Sequence, residues 1–173
     1  MSTEELLEQA LEFYDRLYFI ALSKLRNEAD AEDITQETIA RAAHHAESFQ
    51  GNSSLFTWLV SILLNLCNDF YRQKKGNHIP EEKAFFVADA RVNFEKKVEQ
   101  NDLFERLNNM IMELDEKYRD IIILRFFQEM SYREISEATG IPEGTVKSRL
   151  NEAKHQLFSK LKEIGVKGED IAM

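Results

Sequence analysis

Proline occurs only twice and glycine six times in 173 residues, so the chain lacks the punctuation that separates many short strands. Abundant Glu, Leu, Lys, Ala and Ile supply material for helices instead, and very little strand is expected. A single cysteine, Cys67, excludes an internal disulfide, and no Cys/His cluster has the spacing of a zinc site. A reducing cytosol fits, and no cofactor or metal is expected. No apolar run reaches membrane-spanning length, and the chain starts with the polar, acidic Ser2, Thr3, Glu4 and Glu5 rather than a basic stretch leading into an apolar one. The reading is a cytoplasmic protein, neither secreted nor inserted in a membrane.

Net positive charge is also missing. A formal charge of −9 argues against a protein that coats nucleic acid by bulk electrostatics. The distribution is more telling than the sum. Residues 1–50 hold eleven acids against four Lys/Arg, whereas Gly144–Lys162 holds five Lys/Arg against one acid, Glu152. The acidic end suggests a protein partner and the basic end suggests DNA.

Hydrophobic content of 43% is enough for real cores. Leu7, Leu11, Tyr14, Leu17, Tyr18, Ala21, Leu22 and Leu25 recur every three or four residues, which predicts one amphipathic helix over residues 3–26. A second helix is expected from an Asp30 N-cap to about Phe49, burying Ile34, Thr38, Ala42 and Phe49. After the polar turn Gln50–Ser54, Ser53 or Ser54 can cap a third helix reaching about Lys75, with a stripe of Phe56, Leu59, Leu63, Leu66 and Phe70 widened by Trp58, Ile62 and Tyr71. Such breadth predicts cover from the first two helices over most of its circumference. Its end, Arg72, Lys74, Lys75 and Gly76, suits a helix C-terminus.

From Asn77 the pattern weakens, with Pro80 and an isolated Phe85-Phe86-Val87, so a linker is expected over 77–100. It divides the chain into domains at 1–76 and 101–173. Beyond it, Leu103, Leu107, Met110 and Leu114 mark one helix, and Asp115 is placed as cap of another carrying Ile121, Ile122, Leu124 and Phe126.

Ser131-Tyr-Arg-Glu134 has the spacing of a capping box, Gly140 can end that helix in a left-handed conformation, Ile141 fills the turn and Pro142 opens a second helix. Val146, Leu150 and Leu157 form its buried side. Lys147, Ser148, Arg149, Asn151, Glu152, Lys154 and His155 are left on or around the other side, a set that suits a major groove. Charge alone would favour an ordinary helical hairpin with a solvated charged face. Box, glycine turn and basic second helix together favour a helix-turn-helix.

Two segments resemble one family, the bacterial extracytoplasmic-function sigma factors. The first runs Asp30-Ala-Glu-Asp-Ile-Thr-Gln-Glu-Thr38, through Phe49-Gln-Gly-Asn-Ser-Ser54, to Thr57-Trp58-Leu59 and Asn65-Leu66. The second comprises Leu114-Asp115, Tyr118-Arg119 and Ile141-Pro-Glu-Gly-Thr-Val-Lys-Ser-Arg-Leu150. Their order and separation match too, over residues 10–162. The resemblance implies an all-α fold: a region 2-like bundle and a region 4-like helix-turn-helix domain joined by a linker. It implies a non-enzymatic function, promoter-specific initiation with core RNA polymerase, and an anti-sigma factor as controlling partner.

By the same resemblance, Asp33, Gln36, Glu37 and Arg41 dock on the clamp helices of the largest polymerase subunit. Gln50, Asn52, Ser53, Phe56, Asn65, Arg72 and Lys74 would meet minus-10 DNA, and Thr145, Lys147, Ser148, Arg149, Asn151, Glu152 and Lys154 minus-35 DNA. Val60, Ser61 and Leu64 depart from the aromatic or basic residues common there, and Glu152 replaces a frequent Arg. Phe56 and Trp58 are also readable as core residues. Two other functions compete. A free-standing operator-binding regulator leaves Asp30–Asn65 unexplained. A helical metal enzyme built on Glu32, Asp33, Glu37, His44 and His45 suffers because adjacent histidines on a helix diverge by roughly 100°. Nor does the sequence hold a phosphate-binding loop or a nucleophile elbow.

Overall fold

Ser2 opens the first helix with a reciprocal cap: its hydroxyl accepts from the Glu5 N–H at 3.1 Å, and the Glu5 carboxylate accepts from the Ser2 N–H at 2.8 Å. The computed structural model describes residues 1–74 and 102–166. Where one helix was expected over 3–26, two occur, α1 (Thr3–Glu12) and α2 (Tyr14–Leu25), broken at Phe13 with φ −91° and ψ 2°. The break changes which face is inward. Leu6 and Ala10 of α1 are buried whereas Leu11, a member of the expected stripe, is 57% exposed. Splitting the helix lets α1 lie on the helix Glu28–His44 while α2 packs against both that helix and the helix Leu55–Lys74.

Helix α3 (Glu28–His44) starts earlier than expected, because Asn27 rather than Asp30 is the N-cap: the Asn27 side chain accepts from the Asp30 N–H at 2.9 Å. It also stops before Phe49, giving way to a 3₁₀ turn at Ala46–Ser48. Helix α4 (Leu55–Lys74) is capped by Ser54, whose hydroxyl accepts from the Thr57 N–H at 3.1 Å. Leu59, Val60, Leu63 and Cys67 in its middle are fully buried. The cover comes from α1, α2 and α3 and also from the helix Tyr132–Thr139 in the second half of the chain, which explains an apolar circumference too wide for the first helices alone. Lys75, Gly76 and the expected linker, including Phe85-Phe86-Val87, lie outside the described residues.

The second half holds α5 (Asp102–Glu113), α6 (Glu116–Ile122), α7 (Tyr132–Thr139) and α8 (Glu143–Glu163). Asp115 takes the N-cap position of α6 without a side-chain hydrogen bond, so its expected capping role is not realised. After Ile122 the chain widens into a π-helical turn over Ile123–Phe127, closed by the Gln128 N–H on the Ile123 carbonyl at 3.0 Å. Ile121, Ile122 and Leu124 are buried and Phe126 turns outward. Buried Arg119 donates to the Met112 and Leu114 carbonyls at 3.2 and 3.3 Å, satisfying groups at the C-terminal end of α5.

Among the described residues the elements are helical and no helix is long and apolar enough to cross a membrane. The two halves share one continuous buried cluster, with α4 seated on α7.

Candidate polymerase and promoter interfaces

The inward face of α3 is built from Ala31, Thr35, Thr38, Ile39 and Ala42. Thr35 and Thr38 are tolerable there because each hydroxyl donates to the carbonyl four residues back, at 2.7 Å. With that face buried, Asp33, Gln36, Glu37, Ala40 and Arg41 are all exposed on the other. Arg41 pairs with Glu37 at 2.7 Å, and Gln36 bonds Glu32 at 3.3 Å. The face is a continuous, mainly acidic surface along one side of the helix.

The turn before α4 uses a left-handed Gly51, φ 71°, to reverse the chain. Gln50 and Asn52 are exposed and bonded to each other at 3.3 Å, Ser53 is half-buried, and the Phe49 and Trp58 rings pack at 5.0 Å beside them. Asn65 is exposed in mid-helix. Arg72 is exposed near the helix end, while Lys74 pairs with Asp30 at 3.1 Å and stands over the Phe70 ring. Asn65, Arg72 and Lys74 are spread along α4, about 30 Å for its twenty residues, while Gln50, Asn52 and Ser53 stand in the turn before it. Phe56 is separated from them. It is 7% exposed, packed on Phe13 at 5.1 Å and covered by the Arg16 guanidinium at 3.7 Å from the ring centre.

The second site is the helix-turn-helix. Ser131 and Glu134 make the expected reciprocal cap, at 3.1 and 2.7 Å, and Gly140 ends α7 at φ 73°. Val146, Leu150, Ala153, Leu157 and Leu161 anchor α8. Pro142 sits at its N-cap position, one residue earlier than a first-turn proline. Lys147, Ser148, Asn151, Glu152 and His155 are exposed; Thr145, Arg149 and Lys154 are half-buried. Lys154 leans over the exposed Phe126 ring at 5.4 Å, and Glu152 accepts from Gln156 at 2.9 Å. His44 and His45 are exposed, and among the described residues no group of His, Cys, Asp and Glu is arranged to hold a metal.

A third feature escaped the sequence reading. Lys24 of α2 is buried, its side chain 4% exposed, with Nζ 2.7 Å from Glu116 and 2.6 Å from Asp120, both on α6. Burial opposes charge on Lys24, but the two carboxylates outweigh it and hold its pKa above the usual lysine value. Burial likewise works against Glu116, yet the Lys24 hydrogen bond brings its pKa below the ordinary value. Asp120, deeper and sharing the same ammonium, is pushed up by desolvation. Further ties join the halves. Arg16 donates to the Gln128 side chain at 3.0 Å and carbonyl at 2.8 Å, and Arg26 donates to the Met112 carbonyl. Only a lysine inside the apolar run Ile20-Ala21-Leu22-Ser23-Lys24-Leu25 hinted at this in the sequence.

Fold and sites together define an all-helical, two-part DNA-binding protein. The Sigma-70 region 2 family matches residues 10–76, and the Sigma-70, region 4 family matches residues 104–157. The ECF RNA polymerase sigma factor SigW of Bacillus subtilis (strain 168) is 33% identical over 162 residues, 88% of this chain and 86% of the relative. RNA polymerase sigma factor SigV of the same organism is 35% identical over 156 residues, 90% and 87% of the two chains. Among solved structures, the sigma factor RpoE in complex with the anti-sigma factor NepR from Bartonella quintana is similar, with a TM-score of 0.72 and 27% identity over 90% of this chain and 95% of that one. The chain belongs to the ECF sigma factors of the sigma-70 family. It is therefore a transcription initiation factor and not an enzyme, acting with core RNA polymerase to start transcription at specific promoters.

Proposed function

We propose that the work of initiation is divided between residues 1–76, which bind polymerase and the minus-10 element, and 101–173, which bind the minus-35 element, with 77–100 connecting them. The exposed side of α8 carries this reading. Lys147, Ser148, Asn151 and Glu152 project from a helix whose opposite side is fixed in a core by Val146, Leu150 and Ala153. Lys147 and Lys154 suit phosphates, while Ser148, Arg149, Asn151 and Glu152 suit base edges, with Thr145 at the N-terminal end where a recognition helix enters the groove.

Asp33, Gln36, Glu37 and Arg41 form the docking surface for the clamp helices of the largest polymerase subunit. The supporting observation is that all four are exposed on one face. Gln50, Asn52, Ser53 and Asn65 offer hydrogen bonds to an unpaired minus-10 strand, and Arg72 and Lys74 offer charge to its phosphates. Phe56 is left out of that set, because its ring is already enclosed by Phe13 and Arg16.

An anti-sigma factor is the proposed regulator, by analogy with the related sigma factor solved in such a complex. A cytoplasmic location follows from the same role. Gel-shift titration of the full chain against core polymerase, wild type beside the Asp33→Lys/Glu37→Lys double variant, tests the docking surface. Loss of complex with an unchanged helical spectrum is expected, and undiminished binding would remove α3 from the interface.

A further inference from the structure

We propose that Glu152 fixes one base of the minus-35 element by accepting from the 4-amino group of a cytosine in the major groove, with Gln156 holding its carboxylate in place. The inference deepens the minus-35 reading above and rests on it. Glu152 is the one acid in Gly144–Lys162, beside five Lys/Arg. It is exposed, and its position on α8 is central rather than marginal. Val146, Leu150, Ala153, Leu157 and Leu161 point into the core. At about 100° per residue, Ser148 and Glu152 then project within roughly 40° of the opposite direction, one turn apart. Lys147 and Lys154 leave the helix nearer its edges, where phosphates would pass.

An anion in that place is repelled by every phosphate within a Debye length of about 8–10 Å. Elsewhere on exposed helical faces the chain neutralises such groups: Glu37 pairs with Arg41 at 2.7 Å and Glu137 with Arg133 at 2.9 Å. Glu152 instead takes a neutral partner, the Gln156 side chain, whose Nε2 donates to Oε1 at 2.9 Å. That bond orients the carboxylate and leaves Oε2 to accept from something else.

The bases differ sharply in what they offer it. A carboxylate only accepts, whereas guanine presents N7 and O6 and thymine presents O4, all acceptors. Adenine has an amino donor, but its N7 acceptor stands beside it and favours a carboxamide, which both donates and accepts. Cytosine presents its amino group with no acceptor alongside. Repulsion by phosphates is therefore offset at a C·G pair and left uncompensated at the others, so the same charge that weakens binding in general sharpens the choice of site.

The test is initiation by the full chain with core polymerase from templates randomised over the minus-35 element, scored by sequencing the templates that yield transcripts. Wild type should prefer cytosine at one position by about tenfold. Glu152→Ala should abolish that preference, keep those at other positions and raise the use of sites lacking the cytosine. Glu152→Gln should move the same position towards adenine. Gln156→Leu should reduce the cytosine preference severalfold without altering the rest of the motif, a change that a purely structural role would not produce. Replacing that cytosine by 2-pyrimidinone, which lacks the amino group, should weaken initiation by wild type and have little effect on Glu152→Ala. A Glu152→Ala motif identical to wild type at every position, with initiation altered on all templates alike, overturns the inference and leaves the carboxylate as bulk charge. Wild-type starts that show no minus-35 preference at any position remove instead the reading on which it rests.

Discussion

The guanidinium of Arg16 covers the Phe56 ring at 3.7 Å while the same side chain donates twice to Gln128 in the other half of the molecule. One residue thus joins the start of α4 to the end of the π-helical turn. Phe56→Ala should cost about 3–5 kcal/mol, as for a large buried ring. Phe56→Leu should lose less than half of that and still open promoters. If Phe56→Leu is as stable as wild type but cannot melt the minus-10 region by permanganate reactivity, the ring contacts DNA and the core assignment fails.

Gly140 offers a cleaner case in the helix-turn-helix. Its φ of 73° is left-handed, and an added Cβ would meet nothing within 4 Å. Gly140→Ala should therefore cost only the backbone penalty, about 1–2 kcal/mol. Ser131→Ala should cost about 0.5–2 kcal/mol through the lost cap. Both are read from thermal unfolding, and the sites are far enough in role for the losses to add. A near-zero effect of Ser131→Ala would mean that the reciprocal cap with Glu134 is not formed in solution.

Contacts of α8 with DNA should separate by salt. Lys147→Ala is expected to weaken all promoters alike and reduce the slope of log affinity against log salt by about one. Arg149→Ala should cost about 1–3 kcal/mol and relax preference at one base pair. Equal loss on all sequences with a changed salt slope would reassign Arg149 to a phosphate.

Cys67 gives a pH signature. Desolvation raises its thiol to about 12 from an ordinary 9.0, so the folded state keeps a proton that the unfolded state gives up. Stability should fall as pH rises from 9 towards 12, by up to about 1.4 kcal/mol per pH unit from this group alone. Cys67→Ala should flatten that slope, even though it lowers stability at neutral pH. Slow alkylation of the native protein at pH 8, rapid in denaturant, checks the burial directly.

Much of this was legible because it is local. The Ser131–Glu134 cap, Gly140 and the buried side of α8 are each encoded within a few residues, and the exposed face of α3 follows from 3.6-residue spacing once Ile34, Thr38 and Ala42 are inward. Boundaries were less so. Asp30 lies among acids that suit a first turn, yet Asn27, three residues earlier, takes the cap; the Phe13 break leaves no mark on a periodicity that runs straight through it. The interlock of the two halves was illegible for a different reason: Lys24 and Asp120 are 96 residues apart, and nothing near either names the other.

The measurement that bears most directly on the account is transcription by purified core polymerase from a randomised promoter library, with and without the protein, scored by sequencing transcript starts. Defined starts downstream of a shared two-part motif, present only with the protein and lost in Asp33→Lys/Glu37→Lys, are the expected result. DNA binding by the chain with no effect on where polymerase starts would contradict it.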